Sequence, residues 1–296
     1  MFNVEVVKDS VCGDCRLTTI TQKYPRFIHS ENLTHRDRAR NSASSRAIPW
    51  SRMREMVVTQ PVKVIGWTLE QKGMSGGDEI PEVLRELADG LWLSGRDSAV
   101  SIADKLYNIG DYYKEVTGDG KFEGVKIHKS LVNRIVEPWM WITVVMTATE
   151  WKNYYRLRRH KDAEPHFRLL ADLTFEAMER STPTIVDRDG WHLPFVDFDT
   201  IVEAAELSQT LNLNSFELLK RVSVARVARV SYLTHDGKRD VAKDLELFDK
   251  LVQGSGFGHW SPHEHIARAV GDKSYRSGPF RGWHQYRKDF VTECAD

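Results

Sequence analysis

"RLTTITQKYPRFIHSE", residues Arg16 to Glu31, is the stretch on which the fold class turns. Thr, Ile, Tyr and Phe crowd into it, residue types that suit a pleated surface, and it predicts a strand or a strand pair. Farther along, the period changes. "AEPHFRLLADLTFEAMER" (163–180) puts Phe167, Leu170, Leu173, Ala177 and Met178 on one face of a helix. "DVAKDLELFDKLVQG" (240–254) starts on an acidic cap candidate and stops at Gly254, which predicts a second helix. Residues 82–115 carry Val83, Leu84, Leu87, Leu91, Leu106 and Ile109, a long helical stretch with a break expected near Gly95. "NRIVEPWMWITVVMTATEWKNYYRLRRHKDAE" (133–164), taken alone, reads as a buried helix with polar ends. "TGDGKFEG" is a turn, and "TPTIVDRDGWHLPFVDFDT" (182–200) is a turn-rich connection expected to run over the surface. The mixture, with no internal repeat and no flexible linker, predicts an α+β class. The expected form is one mixed α/β domain over residues 1–296, with a central sheet and a helical layer.

The bulk numbers narrow the function. The chain has 296 residues, 41% of them hydrophobic and 28% charged, an ordinary globular composition. Its 42 basic and 42 acidic residues cancel, which argues against a protein that coats nucleic acid. No run is long and apolar enough for a membrane span. The opening "MFNVEVVKDS" lacks a basic segment followed by an apolar one. Three cysteines suit a reducing compartment, so a cytoplasmic enzyme is expected. Cys12 and Cys15 form a lone CxxC, expected to be two free thiols in an N-terminal turn.

Three constellations could carry chemistry. The first is "THRDRARNSASSRAIPW", Thr34 to Trp50, with arginines at 36, 38, 40 and 46 and hydroxyls at 34, 42, 44 and 45. Neutral donors interleaved with guanidinium groups make a site for a phosphate, which arginine grips bidentately. A merely solvated basic loop does not need that interleaving. The second is "GHWSPHEHIA", Gly258 to Ala267. His259 and His263 share a face only on a helix, His263 and His265 only on a strand, and Pro262 interrupts both; no metal site is expected. The third is Asn133–Glu164 itself, where Arg134 and Arg158 flank an apolar run and Asn153 precedes Arg158. Phosphate loops of the GxxxxGK[ST] type, GxGxxG fingerprints and GxSxG elbows are missing.

Taken together, the three constellations resemble the flavin-dependent thymidylate synthases. That family's signature is RHR, seven residues, then Ser; His35, Arg36, seven residues and Ser44 fit it. Its NExSxR continuation is matched by Asn41, Ser44 and Arg46. Its "ARVSF…HETPFEH" is matched by the segment from "ARVSY" to "SPHEH", and its "NARSLxxFxxLR" by "TATEWKNYYRLR". About 120 residues are covered. The order differs: here the RHR-type block (16–60) comes first, then a helical insert at about 80–120, a nucleotide block (128–180) and the ARVSY/SPHEH block (225–268). This looks like a circular permutation, of the kind a phage-type branch brings to mind.

The resemblance implies an enzyme that moves a methylene group from methylenetetrahydrofolate to C5 of dUMP and reduces it through FAD, with NADPH as reductant. It implies substrate contacts from Glu31, Ser42, Ser44, Ser45, Arg46, Arg134 and Arg158, with Arg158 at the pyrimidine edge stabilising negative charge. It implies flavin contacts from His35, Arg36, Asn41, Thr147, Asn153, Ser231, Ser261 and Glu264. His259 matches a histidine near the flavin and joins Arg158 as a catalytic candidate. A homotetramer with active sites between subunits is implied as well, in bacterial or phage-infected cytoplasm. The chain departs from the pattern at Thr34, Ser42, Thr147 and Thr149, where the family has Arg, Glu, Asn and Arg. The base, dUMP or dCMP, and the product, methyl or hydroxymethyl, therefore stay open at this stage. So does a non-catalytic nucleotide-binding homologue.

Overall fold

Residues 1–73, 76–211, 213–232, 240–253 and 259–290 are described by a computed structural model of the chain. Two long strands open it. β1 (Asn3–Cys12) and β2 (Cys15–Pro25) form an antiparallel hairpin closed by Gly13 and Asp14, with Gly13 at φ +56° where only a glycine turns freely. Arg16–Glu31 is thus one strand and not a pair. After Pro25 it passes through a 3-10 turn (Arg26–Ile28) into a short helix, α1 (His29–Asn32). One of the strand's two partners is the N-terminal stretch, in which Phe2, Val4 and Val6 alternate with Asn3 and Glu5 and pack against the core.

β3 (Ala39–Ser42) leads through a loop to α2 (Trp50–Thr59). α3 (Glu82–Tyr107) and α4 (Ile109–Thr117) follow, then α5 (Lys129–Val132) and a 3-10 segment, Asn133–Trp139. The expected break at Gly95 is not there: α3 runs on to Tyr107. A Cβ at Gly95 would lie 3.2 Å from the Trp139 ring, so the missing side chain admits an indole and does not interrupt the helix. β4 (Trp141–Ala148) and α6 (Lys152–Arg158) come next. Residues 133–164 are therefore not one buried helix. Thr143, Val144, Val145 and Thr147 are β-branched and lose χ1 freedom in a helix, and a partner strand is available.

α7 (Pro165–Glu179) has Pro165 in its first turn and Glu164 as cap, accepting from the Phe167 N–H at 2.8 Å. β5 (Thr184–Ile185), β6 (Trp191–His192), α8 (Phe198–Leu211), α9 (Ser215–Tyr232) and α10 (Val241–Gln253) follow. A 3-10 turn, Ser261–His265, leads to β7 (Ala267–Ala269), β8 (Arg276–Ser277), β9 (Phe280–Arg281) and β10 (Trp283–Gln285). The connection 182–200 dips inside, because His192 is fully buried and bonded to Ser10 and Thr19.

The main sheet has the order β3-β4-β2-β1-β5, antiparallel except for β1 with β5, so the class is mixed α and β as expected. One face, with Ile142, Val144 and Met146, packs on Phe167, Leu170 and Ala171 of α7. The other face meets α9, whose Val222, Val224, Val227 and Ala228 are all buried. Inside that helical layer the buried Arg226 and the half-buried Arg229 both pair with the buried Asp244 of α10, at 2.8 and 2.7 Å. A separate apolar cluster joins α2, α3 and the 133–139 segment through Met53, Val57, Val100, Ala103 and Trp139. Cys12 and Cys15 are buried free thiols beside Phe280 and Trp283. No described helix is long and apolar enough to cross a membrane.

Candidate active site

The first and third constellations meet at one end of the β3–β4 pair. Arg158, on the last turn of α6, reaches back to the segment between α1 and β3. Its Nε donates to His35 Nε2 at 2.9 Å, one terminal nitrogen to Glu31 at 3.2 Å and the other to Thr34 Oγ1 at 3.3 Å. Its plane lies over Phe167, 4.3 Å from the ring centroid. A guanidinium cannot accept, so His35 Nε2 must be the acceptor and His35 is neutral with its proton on Nδ1. Burial, then the charges of Arg38 and Arg158, push its pKa down to about 4. The ring stands edge-on to Tyr154 and Phe167, which fixes it for this bond.

A cleft of about 270 Å³ opens here, lined by Thr34 through Arg38 on one side and by Glu150, Asn153, Tyr154, Leu157 and Arg158 on the other. Arg36 and Asn153 are exposed at its edge. Arg38 is buried, its guanidinium carbon 4.5 Å from the Tyr154 centroid and 5.1 Å from that of Trp151. Three arginines thus face two carboxylates, Asp37 and Glu150, and an anion is the ligand such a cleft favours.

The second constellation joins the first through Asn41. Its Nδ2 donates to the Val227 carbonyl of α9 at 2.9 Å, and its Oδ1 accepts from Ser261 at 3.4 Å. Glu264 pairs with Arg287, and its carbonyl accepts from Gln285 at 3.0 Å. His259 is exposed, while His263 is enclosed by Phe248, Trp260, Tyr286 and Phe290. Ser231 lies near the end of α9, and its side chain is outside the described residues. Gly258 is outside them too.

Other predicted residues lie elsewhere. Thr147 is fully buried and bonds Thr19 at 2.6 Å and His265 at 2.8 Å. Thr19 in turn bonds His192, so Thr147 belongs to an interior polar chain and not to the cleft wall. Ser42, Ser44, Ser45 and Arg46 sit at the far end of the strand pair. Ala39 pairs with Thr147 near the cleft, but Ala43 bonds Thr143, and the Ser45 and Ile48 carbonyls accept from Asn133 ahead of β4. Ser45 Oγ lies 3.4 Å from Glu137. Arg46 and Arg134 are both exposed on this side. Ser42, opposite Val144, lies three residues and roughly 10 Å along the strands from the Ala39–Thr147 pair, with Ser44, Ser45 and Arg46 beyond it.

Sequence reasoning missed the aromatic bed. Tyr154 and Phe167 look like core residues, and only their place beside Arg158 and Arg38 shows that they hold cations. It also missed the Thr19–His192 bond, because residues 173 positions apart give no local signal.

No family model matches the chain, and no curated protein matches it. Among solved structures it is similar to a UMP/dUMP methylase, PolB, from Streptomyces cacaoi bound with 5-Br dUMP, at 11% identity and a TM-score of 0.40. The match covers 61% of this chain and 90% of that one.

Proposed function

We propose that the chain transfers a one-carbon unit from methylenetetrahydrofolate to C5 of a pyrimidine deoxynucleotide, with dUMP as substrate, dTMP as product, FAD as cofactor and NADPH as reductant. The observation that carries this reading is the Arg158 guanidinium, held by His35, Glu31 and Thr34 at the mouth of an arginine-lined cleft. The motif resemblance names Arg158, His35 and Glu31, and residues up to 127 positions apart along the chain come together there.

The residues present fit a flavin nucleotide on one count: Arg38 is buried with no anionic partner among the described residues, so the cleft is built for a ligand that brings negative charge. Arg36, His35 and Asn153 are the groups that would hold it. Asn41, Thr147 and Glu264 already use their polar atoms within the chain, so their part is to brace the surrounding backbone. When bound, the flavin supplies the hydride that the protein cannot. Arg158 supplies a guanidinium where the pyrimidine ring gathers negative charge. His35, neutral above about pH 4, orients Arg158 without adding a second charge.

Ser44, Arg46 and Arg134 are the proposed phosphate grip. They lie beyond β3, toward the opposite end of the strand pair from Arg158. The proposed assembly, as the motif resemblance implies, is a homotetramer in which one copy's Ser44–Arg46 loop faces another copy's Arg158. The test is titration of Ser44→Ala with FAD and with dUMP. The dUMP affinity should fall about tenfold while FAD binding holds, from loss of one hydrogen bond to a charged group. Equal losses for both ligands would count against the assignment.

A further inference from the structure

Arg38 is a charged side chain that is 5% exposed, and among the described residues its one side-chain hydrogen-bond partner is the Met146 sulfur, at 3.2 Å from Nη1. Among the described residues no carboxylate reaches it. Asp37 and Glu150 line the same cleft, but Asp37 is not paired with it and Glu150 lies 3.9 Å from Arg281. The other charges around it are cations: Arg36 and Arg158 share the cleft and Arg40 is near. Burial chiefly, with the nearby Arg40 charge also lowering it, brings its pKa to about 10, so it is still charged at neutral pH. A buried cation is normally matched by an anion, because desolvation without a partner is costly. The faces of Tyr154 and Trp151 offset part of that cost, and Trp151 Nε1 beside them is a buried donor without a partner among the described residues.

We infer that Arg38 is the anchor for a phosphate ester entering this cleft, with Arg36 completing the grip from the rim. The guanidinium is pre-oriented by its two aromatic faces, so its free N–H groups present one plane to the ligand. A tetrahedral, doubly charged group suits three converging arginines better than a carboxylate does. The phosphate could come from a nucleoside monophosphate or from a dinucleotide's diphosphate bridge; the chemistry is shared. The inference deepens the proposed function but does not need it, since phosphate binding is read without turnover.

The test is calorimetric titration of the full chain and of Arg38→Met and Arg38→Lys with pyrophosphate, dUMP, deoxyuridine and ADP, alongside thermal unfolding without ligand. Wild type should bind the phosphorylated probes and not deoxyuridine. Arg38→Met should weaken them about 10- to 100-fold, and Arg38→Lys by less, since it keeps the charge but not the fork. A larger loss for dUMP assigns the monoester; a larger loss for ADP and pyrophosphate assigns the diphosphate. Ligand-free Arg38→Met should melt no lower than wild type, because an unmatched buried charge has been removed. Unchanged phosphate affinity in Arg38→Met, or a lowered melting temperature with affinity intact, would overturn the inference and make Arg38 a structural residue. Arg38-dependent phosphate binding in a protein that takes up no flavin would leave the anchor standing and defeat the enzyme proposal.

Discussion

Removing the Arg158 side chain should loosen the segment from Glu31 to His35, and the size of the effect can be worked from its contacts. The N–H donated to His35 at 2.9 Å comes from a charged group and is worth about 1.5 kcal/mol. The ion pair with Glu31 has side chains 21% and 43% exposed, so screening holds it to about 0.5 kcal/mol. The guanidinium over Phe167 at 4.3 Å adds roughly 1 kcal/mol. The desolvation relieved by removing the charge offsets part of this, so Arg158→Ala should lose about 2 kcal/mol in urea unfolding. The same substitution removes one of the charges that hold the His35 pKa near 4, so its titration should move upward. Burial is the larger cause and remains, so it should not return fully to the ordinary value. Arg158→Lys restores a charge but not the three-way fork, and should recover under half of the stability. Histidine-labelled NMR titration and urea melts read both effects. If Arg158→Ala leaves the His35 titration and the unfolding midpoint where they were, the hydrogen-bonded geometry of the cleft is wrong.

Asp244 neutralises two arginines from inside the helical layer, so Asp244→Asn should cost about 3–5 kcal/mol, read as a lowered urea midpoint. His263 and His265 are fully buried, with pKa values lowered to about 4 and about 3, chiefly by burial. The unfolded chain therefore takes up protons first: stability should be intact above about pH 6.5 and fall as the pH drops toward 4, by roughly 3 kcal/mol for each histidine. His263→Phe should flatten that slope in acid melts, and an unchanged slope would refute it. On α3 and α4, two glycines should respond oppositely in thermal melts. Gly90→Ala meets nothing within 4 Å and should stabilise by about 0.5–1 kcal/mol. Gly110→Ala would bring a Cβ 1.7 Å from the Phe122 carbonyl oxygen and should destabilise by about 3 kcal/mol.

The helices 163–180 and 240–254 were legible because their apolar residues recur at helical spacing and their caps are local. β4 was not, since an apolar run of its length has no period to separate strand from buried helix, and its strand partners are over a hundred residues away. Gly95 misled for a related reason: sequence shows a missing side chain but not the Trp139 ring that takes its place. For the site, the residue types at 34–46 pointed to anion chemistry without needing the fold, while the role of Arg158 came only through the motif resemblance. Arg38 could not be ranked above Arg36 or Arg40, because burial between Trp151 and Tyr154 is a property of packing and not of spacing.

The most direct test of one-carbon transfer is an anaerobic single turnover. Protein loaded with FAD and reduced beforehand is mixed with methylenetetrahydrofolate and dUMP, and the nucleotide is weighed. The account predicts that dUMP gains one methyl group and the flavin becomes oxidised, with neither change in Arg158→Ala. A nucleotide of unchanged mass, in a preparation that retains no flavin, would contradict it.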